Sequence, residues 1–416
     1  MRKVLIKHAD QIATPKGFKG RKGCEMNELF TLNDGAVYIE DGIIKIVGNT
    51  NDVLMKINEF ECDEIINAEG KCVLPGFVDS HTHFIFSGYR EDEFVKRLEG
   101  AEYLQILNMG GGIQSTVKST RNASFEELYF LGKERLGNMI SQGITTVEGK
   151  SGYGLDLECE IKMLKVMKKL NRDCPIDIVS TFLGAHAVPS EYKNRNFEYI
   201  KYMIEKVIPE VCEESLAEFC DVFCEEGVFS IEESRKILIE GQKLGLKSKI
   251  HADEIVSIGG GELAGELGCV SADHLLMVSE EGINKICENN VTATLLPCTA
   301  FCLNKPYAPA RKIIDKGGCV ALASDLNPGS CFANSIPLML ALGVIHMGMT
   351  IEEAVTALTL NGAAALGRAD IIGSIEEGKK ADMVIIKYPN YKFLVYNTGN
   401  NLVEKVIKDG EIVYEV

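Results

Sequence analysis

The sequence predicts an α/β fold, a (β/α)8 TIM-like barrel joined to a small composite β-sandwich built from both termini. Eight short apolar stretches alternate with amphipathic helical ones across about 295 residues, the pattern of eight βα units. Each end of the chain also carries two β-rich runs joined by an Asp-Gly turn, the strongest short-range hairpin signal. A doubly wound open sheet is the alternative arrangement of the same repeats.

At the N-terminal end, residues 35–47 form the first hairpin around Asp41-Gly42, and residues 402–414 form the last around Asp409-Gly410. Residues 382–387 add a strand beside the latter. Between them the barrel strands are expected at 73–78, 145–148, 177–183, 221–224, 247–251, 270–274, 292–296 and 320–324. Helices are expected at 125–139, 159–170, 231–243 and 351–366, the last opened by a Thr350/Glu353 capping box. The expected division is residues 1–70 and 369–416 for the composite β domain, and 71–368 for the barrel.

Composition narrows the class. The 416 residues are 46% hydrophobic and 25% charged, which is ordinary globular usage and excludes a disordered or collagen-like chain. Forty-four basic against sixty acidic side chains give −16, a field that disfavours nucleic acid and anionic membranes. The longest uncharged stretch, 326–351, is interrupted by polar residues. Its dense apolar part, 336–347, has the length of a buried helix and falls short of the ~20 residues a bilayer needs. The first residues hold a three-residue apolar run, too short for a secretory signal. Fourteen cysteines scattered through such a chain point to reduced thiols in a cytoplasm, and the pairs Cys220/Cys224 and Cys298/Cys302 read as core thiols.

Function in a barrel belongs at the C-terminal ends of the strands. Five of the seven histidines fall there: His81 and His83 after the first strand, His186 after the third, His251 on the fifth and His274 on the sixth. Asp325 follows the eighth. A spacing of two in extended chain puts His81 and His83 on one face, both able to reach one ion. Neutral imidazoles and a carboxylate suit zinc or iron with room for a water. Such an ion lowers that water's pKa from ~15.7 to ~7, so no serine or cysteine nucleophile is needed.

Two phosphate-type motifs fail on inspection. Residues 143–151 have five residues between the glycines of a P-loop pattern that needs four, and those five are β-formers. Gly259-Gly260-Gly261 fits a dinucleotide fingerprint loosely and follows a metal-type strand, so its small residues are expected to serve close helix packing. Gly110-Gly111-Gly112 reads as a flexible loop entering a helix and a conceivable lid.

These residues also carry a family likeness. The run from Pro75 to His83 and the block 373–385 resemble the opening and closing signatures of the amidohydrolase superfamily. Within it, residues 148–156, 251–254, 272–275 and 323–330 resemble the imidazolonepropionase family, from residue 1 to the C-terminus. The resemblance implies one zinc or iron ion per subunit held by His81, His83, His251 and Asp325. It further implies hydrolysis of the ring C–N bond of 4-imidazolone-5-propanoate to N-formimidoyl-L-glutamate, in histidine degradation. Substrate contacts would be Arg90, Tyr153, His186, Glu254, Asn327, Gly329 and Ser330. Binuclear superfamily members carry a bridging lysine at the end of strand four; residues 221–226 hold none, so a single ion is expected. A homodimer is an expectation of the family alone.

The residues add their own support. A propanoate carboxylate approaching a chain at −16 needs a local cation, and Arg90 on the loop after strand one offers a bidentate pair. Tyr153 stands in a glycine-flanked loop at the end of strand two. Asn327-Pro328-Gly329-Ser330 reads as a turn whose N–H groups are placed to meet a carboxylate. The expected chemistry is attack by the activated water on the ring carbonyl, with the ion or His186 polarising the oxygen. Asp325 and His274 are candidates for the water's proton, and Glu254 for the leaving nitrogen. The nearest rival is a nucleobase aminohydrolase of guanine- or cytosine-deaminase type, which shares the ligand set and needs no carboxylate clamp. A non-catalytic barrel would be expected to have lost ligands, and all four stand here.

Overall fold

The computed structural model describes residues 2–100 and 111–416; Gly110 of the glycine run lies outside the described residues. The chain opens with β1 (Lys3–Pro15), β2 (Leu29–Glu40), β3 (Ile43–Asn49), β4 (Glu64–Asn67) and β5 (Cys72–Pro75). The barrel strands follow as β6 (Phe77–Asp79), β7 (Ile144–Lys150), β8 (Asp177–Ala185), β9 (Phe219–Cys224), β10 (Lys247–Ala252), β11 (Ser271–His274), β12 (Thr292–Leu295) and β13 (Cys319–Leu322). Three more, β14 (Met383–Ile386), β15 (Val403–Lys408) and β16 (Glu411–Glu415), return to the first group.

Both Asp-Gly hairpins form as their residues dictate. Asp41 and Gly42 have φ of 47° and 76°, and Asp409 and Gly410 have 49° and 77°, so each turn has the paired positive φ that matches strand twist. The terminal strands make one sheet in the order β16-β15-β14-β5-β1-β2-β3, with β4 also paired to β1. The composite β domain expected from both termini forms, its eight strands hydrogen-bonded in one sheet. A bulge between Ile6 and Ala9 lets β1 pair with β4 along its first half and β5 along its second. Val4, Ile6, Ile12, Val37, Ile66, Val73, Ile385 and Ile407 bury one shared core, which ties the two ends of the chain together.

The strand expected at 73–78 divides at Gly76. Its first part, β5, pairs with β14, while β6 pairs with β7. Gly76 stands where the chain passes between the two sheets, and a Cβ there would lie 2.2 Å from Thr145 Oγ1. The barrel itself is eight parallel strands in sequence order, β6 to β13. It closes through residues of the site: His83 N–H donates to Leu326 O (2.9 Å) and Asp325 N–H to His81 O (3.0 Å).

Outer helices start at the polar residues that cap them. Ser124/Glu127, Ser230/Glu233 and Thr350/Glu353 each form a reciprocal capping box. The helix expected over 351–366 is two, Ile351–Leu358 and Leu360–Ala365, broken at Thr359. The second piece turns inward, where Asn361 Nδ2 donates to Val320 O on β13 (2.8 Å) and a Cβ on Gly362 would meet Val78 O. The apolar segment after Ser335 is the buried helix Ile336–Ile345, and no helix among the described residues is long and apolar enough to cross a membrane.

Candidate active site

Five histidines and an aspartate converge at the C-terminal mouth of the barrel. His81, His83, His251, His274 and Asp325 are each at most 2% exposed. His251 Nε2 lies 3.4 Å from His83 Nε2, and Asp325 Oδ1 lies 3.5 Å from His81 Nε2 and 3.6 Å from His83 Nε2. Two imidazole nitrogens facing each other at 3.4 Å can share only one proton between them, and His81 Nε2 is buried with no hydrogen-bond partner among the described residues. A cation relieves both. Tetrahedral ligands about 2.1 Å from a zinc stand about 3.4 Å apart, close to these three separations; His81, His83 and His251 form one group that could hold an ion, and His81, His274 and Asp325 form another. Burial holds the three imidazoles well below the ordinary histidine pKa, with the Lys150 charge adding to the effect at His81, and neutral imidazole is the form that ligates.

The ligands are held from behind. Asp273 Oδ2 lies 2.7 Å from His81 Nδ1, which fixes that ring with Nε2 toward the cluster. Asp221 Oδ2 approaches His251 Nδ1 at 3.1 Å, too obliquely for a hydrogen bond. Thr299 Oγ donates to Asp325 Oδ2 (2.7 Å), leaving Oδ1 for the imidazoles. His274 and Asp325 adopt φ of 74° and 52°, a left-handed backbone that turns the chain sharply at the strand end.

A second ring of residues surrounds this cluster. His186 stacks on His83 (centroids 4.9 Å, 17° between planes), with Tyr153 5.3 Å from His186. His186 Nδ1 lies 3.1 Å from Gly152 O, so the ring proton sits there and Nε2 presents a lone pair. His186 thus faces the site as an acceptor, where the sequence suggested a polarising donor. Glu254 Oε2 is 3.6 Å from His274 Nε2. Burial, with the charges of Asp325 and Glu225, pushes Glu254 up to about 8, and burial pushes Asp325 up to about 7.

Arg90 and Gly329 meet directly: a Cβ on Gly329 would lie 2.3 Å from Arg90 Nη1. Glu93 accepts from Arg90 Nε (3.0 Å) and from Gly112 N–H (2.9 Å), while Arg97 Nη2 donates to Gly329 O (2.8 Å). Arg135, stacked 3.5 Å over Phe86, donates to the carbonyls of Phe84 and Phe86 and so fixes the loop between His83 and Arg90. The turn at 327–330 differs from expectation in one respect. Asn327 Oδ1 accepts the N–H groups of Gly329 and Ser330, each at 2.8 Å, and Asn327 Nδ2 donates to Ser330 Oγ. Asn327 and Ser330 are occupied in building the turn, and those N–H groups are spent inside it.

Several organising residues had no role in the sequence reading. Glu160, 1% exposed, accepts from the N–H groups of Gly152, Gly154 and Leu155, and so sets the loop that carries Tyr153. Asp253 accepts from the N–H groups of residues 258 to 261, capping the glycine-rich helix Gly260–Leu267. Those glycines serve close packing, as expected: a Cβ on Gly260 would lie 2.8 Å from Ala252 Cβ. Glu148, Lys150, Lys249, Asp221 and Asp273 fill the barrel beneath the cluster. A carboxylate or ammonium at an inward-facing strand position was the available signal.

Comparison with known proteins agrees with this geometry. The amidohydrolase family profile matches residues 233–413. The chain is 60% identical over 412 residues to an imidazolonepropionase of Clostridium tetani (strain Massachusetts / E88), covering 99% of this chain and 98% of the relative. It is 58% identical over 410 residues to one of Parabacteroides distasonis, covering 99% and 98%. Among solved structures, a triazine hydrolase variant superposes with a TM-score of 0.78 at 15% identity, covering 100% of this chain and 95% of that one. An E. coli guanine deaminase does so with 0.74 at 15% identity, covering all of both chains. At such identity the structural likeness shows a shared fold.

Proposed function

The chain belongs to the imidazolonepropionase family of amidohydrolases, hydrolases of carbon–nitrogen bonds in cyclic amides, and on that premise we propose how its site opens the ring of 4-imidazolone-5-propanoate. The product is N-formimidoyl-L-glutamate, which places the step in histidine degradation. One observation supports the reading above others. Three imidazoles and a carboxylate, with contacts of 3.4, 3.5 and 3.6 Å among them, share a mouth with an arginine seated on a glycine.

His81, His83, His251 and Asp325 would hold one zinc or iron ion, which supplies Lewis-acid polarisation and acidifies a water to a pKa near ~7. The protein's own groups do the rest. Arg90 pairs with the propanoate carboxylate through its Nη edge, since Glu93 already accepts from Nε. Tyr153 and His186 wall the pocket beside His83, with the His186 Nε2 lone pair available to a substrate N–H. Water oxygen bonds the ring carbonyl carbon, its proton passing to Asp325 or His274. The ring C–N bond then breaks as Glu254, a neutral carboxyl near pH 7, gives its proton to the departing nitrogen. His274, 3.6 Å from Glu254, is placed to return a proton there.

The test is ring opening of freshly prepared imidazolonepropanoate, followed by loss of its ultraviolet absorbance. Activity should vanish on chelation and return with zinc or iron. Full activity after removal of all transition metal would overturn the mechanism. Ammonia release from guanine or cytosine without ring opening of imidazolonepropanoate would favour the deaminase reading.

A further inference from the structure

Lys150, at the end of β7, is fully buried, and its side chain points into the barrel beneath the metal-type cluster. Its three ammonium protons face three carboxylates: Asp221 Oδ2 at 2.7 Å, Glu148 Oε1 at 3.1 Å and Asp273 Oδ2 at 3.2 Å. Two of these oxygens are the same atoms that stand behind the imidazoles: Asp273 Oδ2 is hydrogen-bonded to His81 Nδ1, and Asp221 Oδ2 lies 3.1 Å from His251 Nδ1 as an ion-pair contact without hydrogen-bond alignment. One ammonium thus stands between two carboxylates, each backed onto a different ligand ring. We propose that Lys150 is a positioning residue of the metal centre, holding Asp273 and Asp221 against the Nδ1 edges of His81 and His251 so that both Nε2 edges face one ion.

This inference rests on the metal-dependent reading above. The surroundings leave the lysine little other work. Lys249, the other ammonium buried in the barrel beneath the cluster, reaches Glu148 Oε2 and Ser80 O and touches neither carboxylate behind the imidazoles. The other oxygens of the pair are fixed locally, Asp273 Oδ1 by Ser271 Oγ and Asp221 Oδ1 by Val222 N–H. Without Lys150, Asp221 and Asp273 would face each other with no cation between them. One of them must then turn away or take up a proton, and a ligand ring loses its anchor.

Simple charge and positioning predict opposite signs. If Lys150 were only a nearby positive charge, its removal would strengthen binding of a divalent cation by leaving the cavity more negative. If it positions the rings, removal weakens binding, by about 10- to 100-fold for the loss of a ligand's outer partner. The experiment compares zinc affinity, by chelator competition on stripped protein, in the wild type, Lys150→Met, Asp273→Asn and the double variant. Electronic spectra of the cobalt-loaded proteins report the ligand geometry.

Lys150→Met should bind zinc about 10- to 100-fold more weakly with an altered cobalt spectrum, and the double variant should be little weaker than the poorer single one. Unchanged or tighter binding, or fully additive losses, would overturn the inference. If Lys150→Met does not fold, Asp273→Asn and Asp221→Asn decide with the lysine intact: both should weaken zinc binding, and unaltered affinity in both refutes the proposal. A wild type that binds no zinc would sink the metal-dependent reading instead.

Discussion

Gly329→Ala isolates the carboxylate clamp. The alanine Cβ would stand 2.3 Å from Arg90 Nη1, 2.7 Å from Cζ and 2.9 Å from Nη2. Normal contact between such atoms is about 3.5 Å, so the guanidinium must retreat by roughly 1 Å. Gly329 is absent from the positive-φ glycines, so alanine is compatible with the backbone there. The clashing atoms are the far end of a flexible side chain, and stability should change by less than about 1 kcal/mol. A misplacement of 1 Å in a substrate-positioning group costs up to about 100-fold in rate. We therefore expect kcat/KM for imidazolonepropanoate to fall by about 10- to 100-fold, equivalent to about 1.4–2.7 kcal/mol of transition-state stabilisation, with metal content unchanged. Initial rates from ultraviolet loss over a range of substrate concentrations give the number, and thermal unfolding gives the control. In an Arg90→Met background the same alanine should cost almost nothing, because the displaced group is gone. Wild-type kcat/KM in Gly329→Ala, or an equal loss in both backgrounds, would refute the clamp.

Glu254 gives up its proton as pH rises through about 8, so the donor form is present below that pH and the rate should decline above it. A bound cation offsets the negative charge of Asp325 and moves the limb lower; Glu254→Gln should lower kcat by 100-fold or more, on the order of general acid catalysis, and flatten the alkaline limb of the pH–rate profile. Glu160→Gln puts an amide against the N–H groups of Gly152, Gly154 and Leu155, loosening the Tyr153 loop. KM should rise by about tenfold while zinc content holds, checked by kinetics and elemental analysis. Asp253→Ala leaves four N–H groups at a helix start without their acceptor and should lower unfolding free energy by about 2 kcal/mol in denaturant titration.

Much of the fold is legible because its signals are local. The Asp-Gly turns at 41–42 and 409–410 need no tertiary context to form hairpins, and the eight barrel strands announce themselves as short apolar runs between amphipathic helices. What escapes is decided by partners distant in sequence. Residues 73–78 read as one strand, since nothing local shows that Cys72–Pro75 pairs with β14 while Phe77–Asp79 pairs with β7. The single eight-stranded terminal sheet depends likewise on β1 pairing with four-residue β4 and β5 at separate places. Thr359 breaks a helix whose periodicity continues unbroken, because the inward turn of Asn361 toward Val320 O outweighs the local preference.

The site divides along the same line. A rare residue type repeated at one rim is conspicuous, which is why the histidines and Asp325 could be read from the chain and why they do lie together. The groups that aim them are common residues whose meaning depends on what they face. Asp273 is adjacent to His274 in sequence, yet it serves His81 on the opposite side of the ring of strands. Lys150 sits in a glycine-flanked loop entrance that suggested Tyr153 as the residue of interest, and only the closed barrel brings its ammonium to Asp221 and Asp273. Alternation supplies a partial cue: Glu148 and Lys150 are two apart and point inward together, where a charge is costly unless paired. Each charge on an inward strand position therefore implies a counter-charge on another strand, and the buried network beneath the ligands follows from matching them.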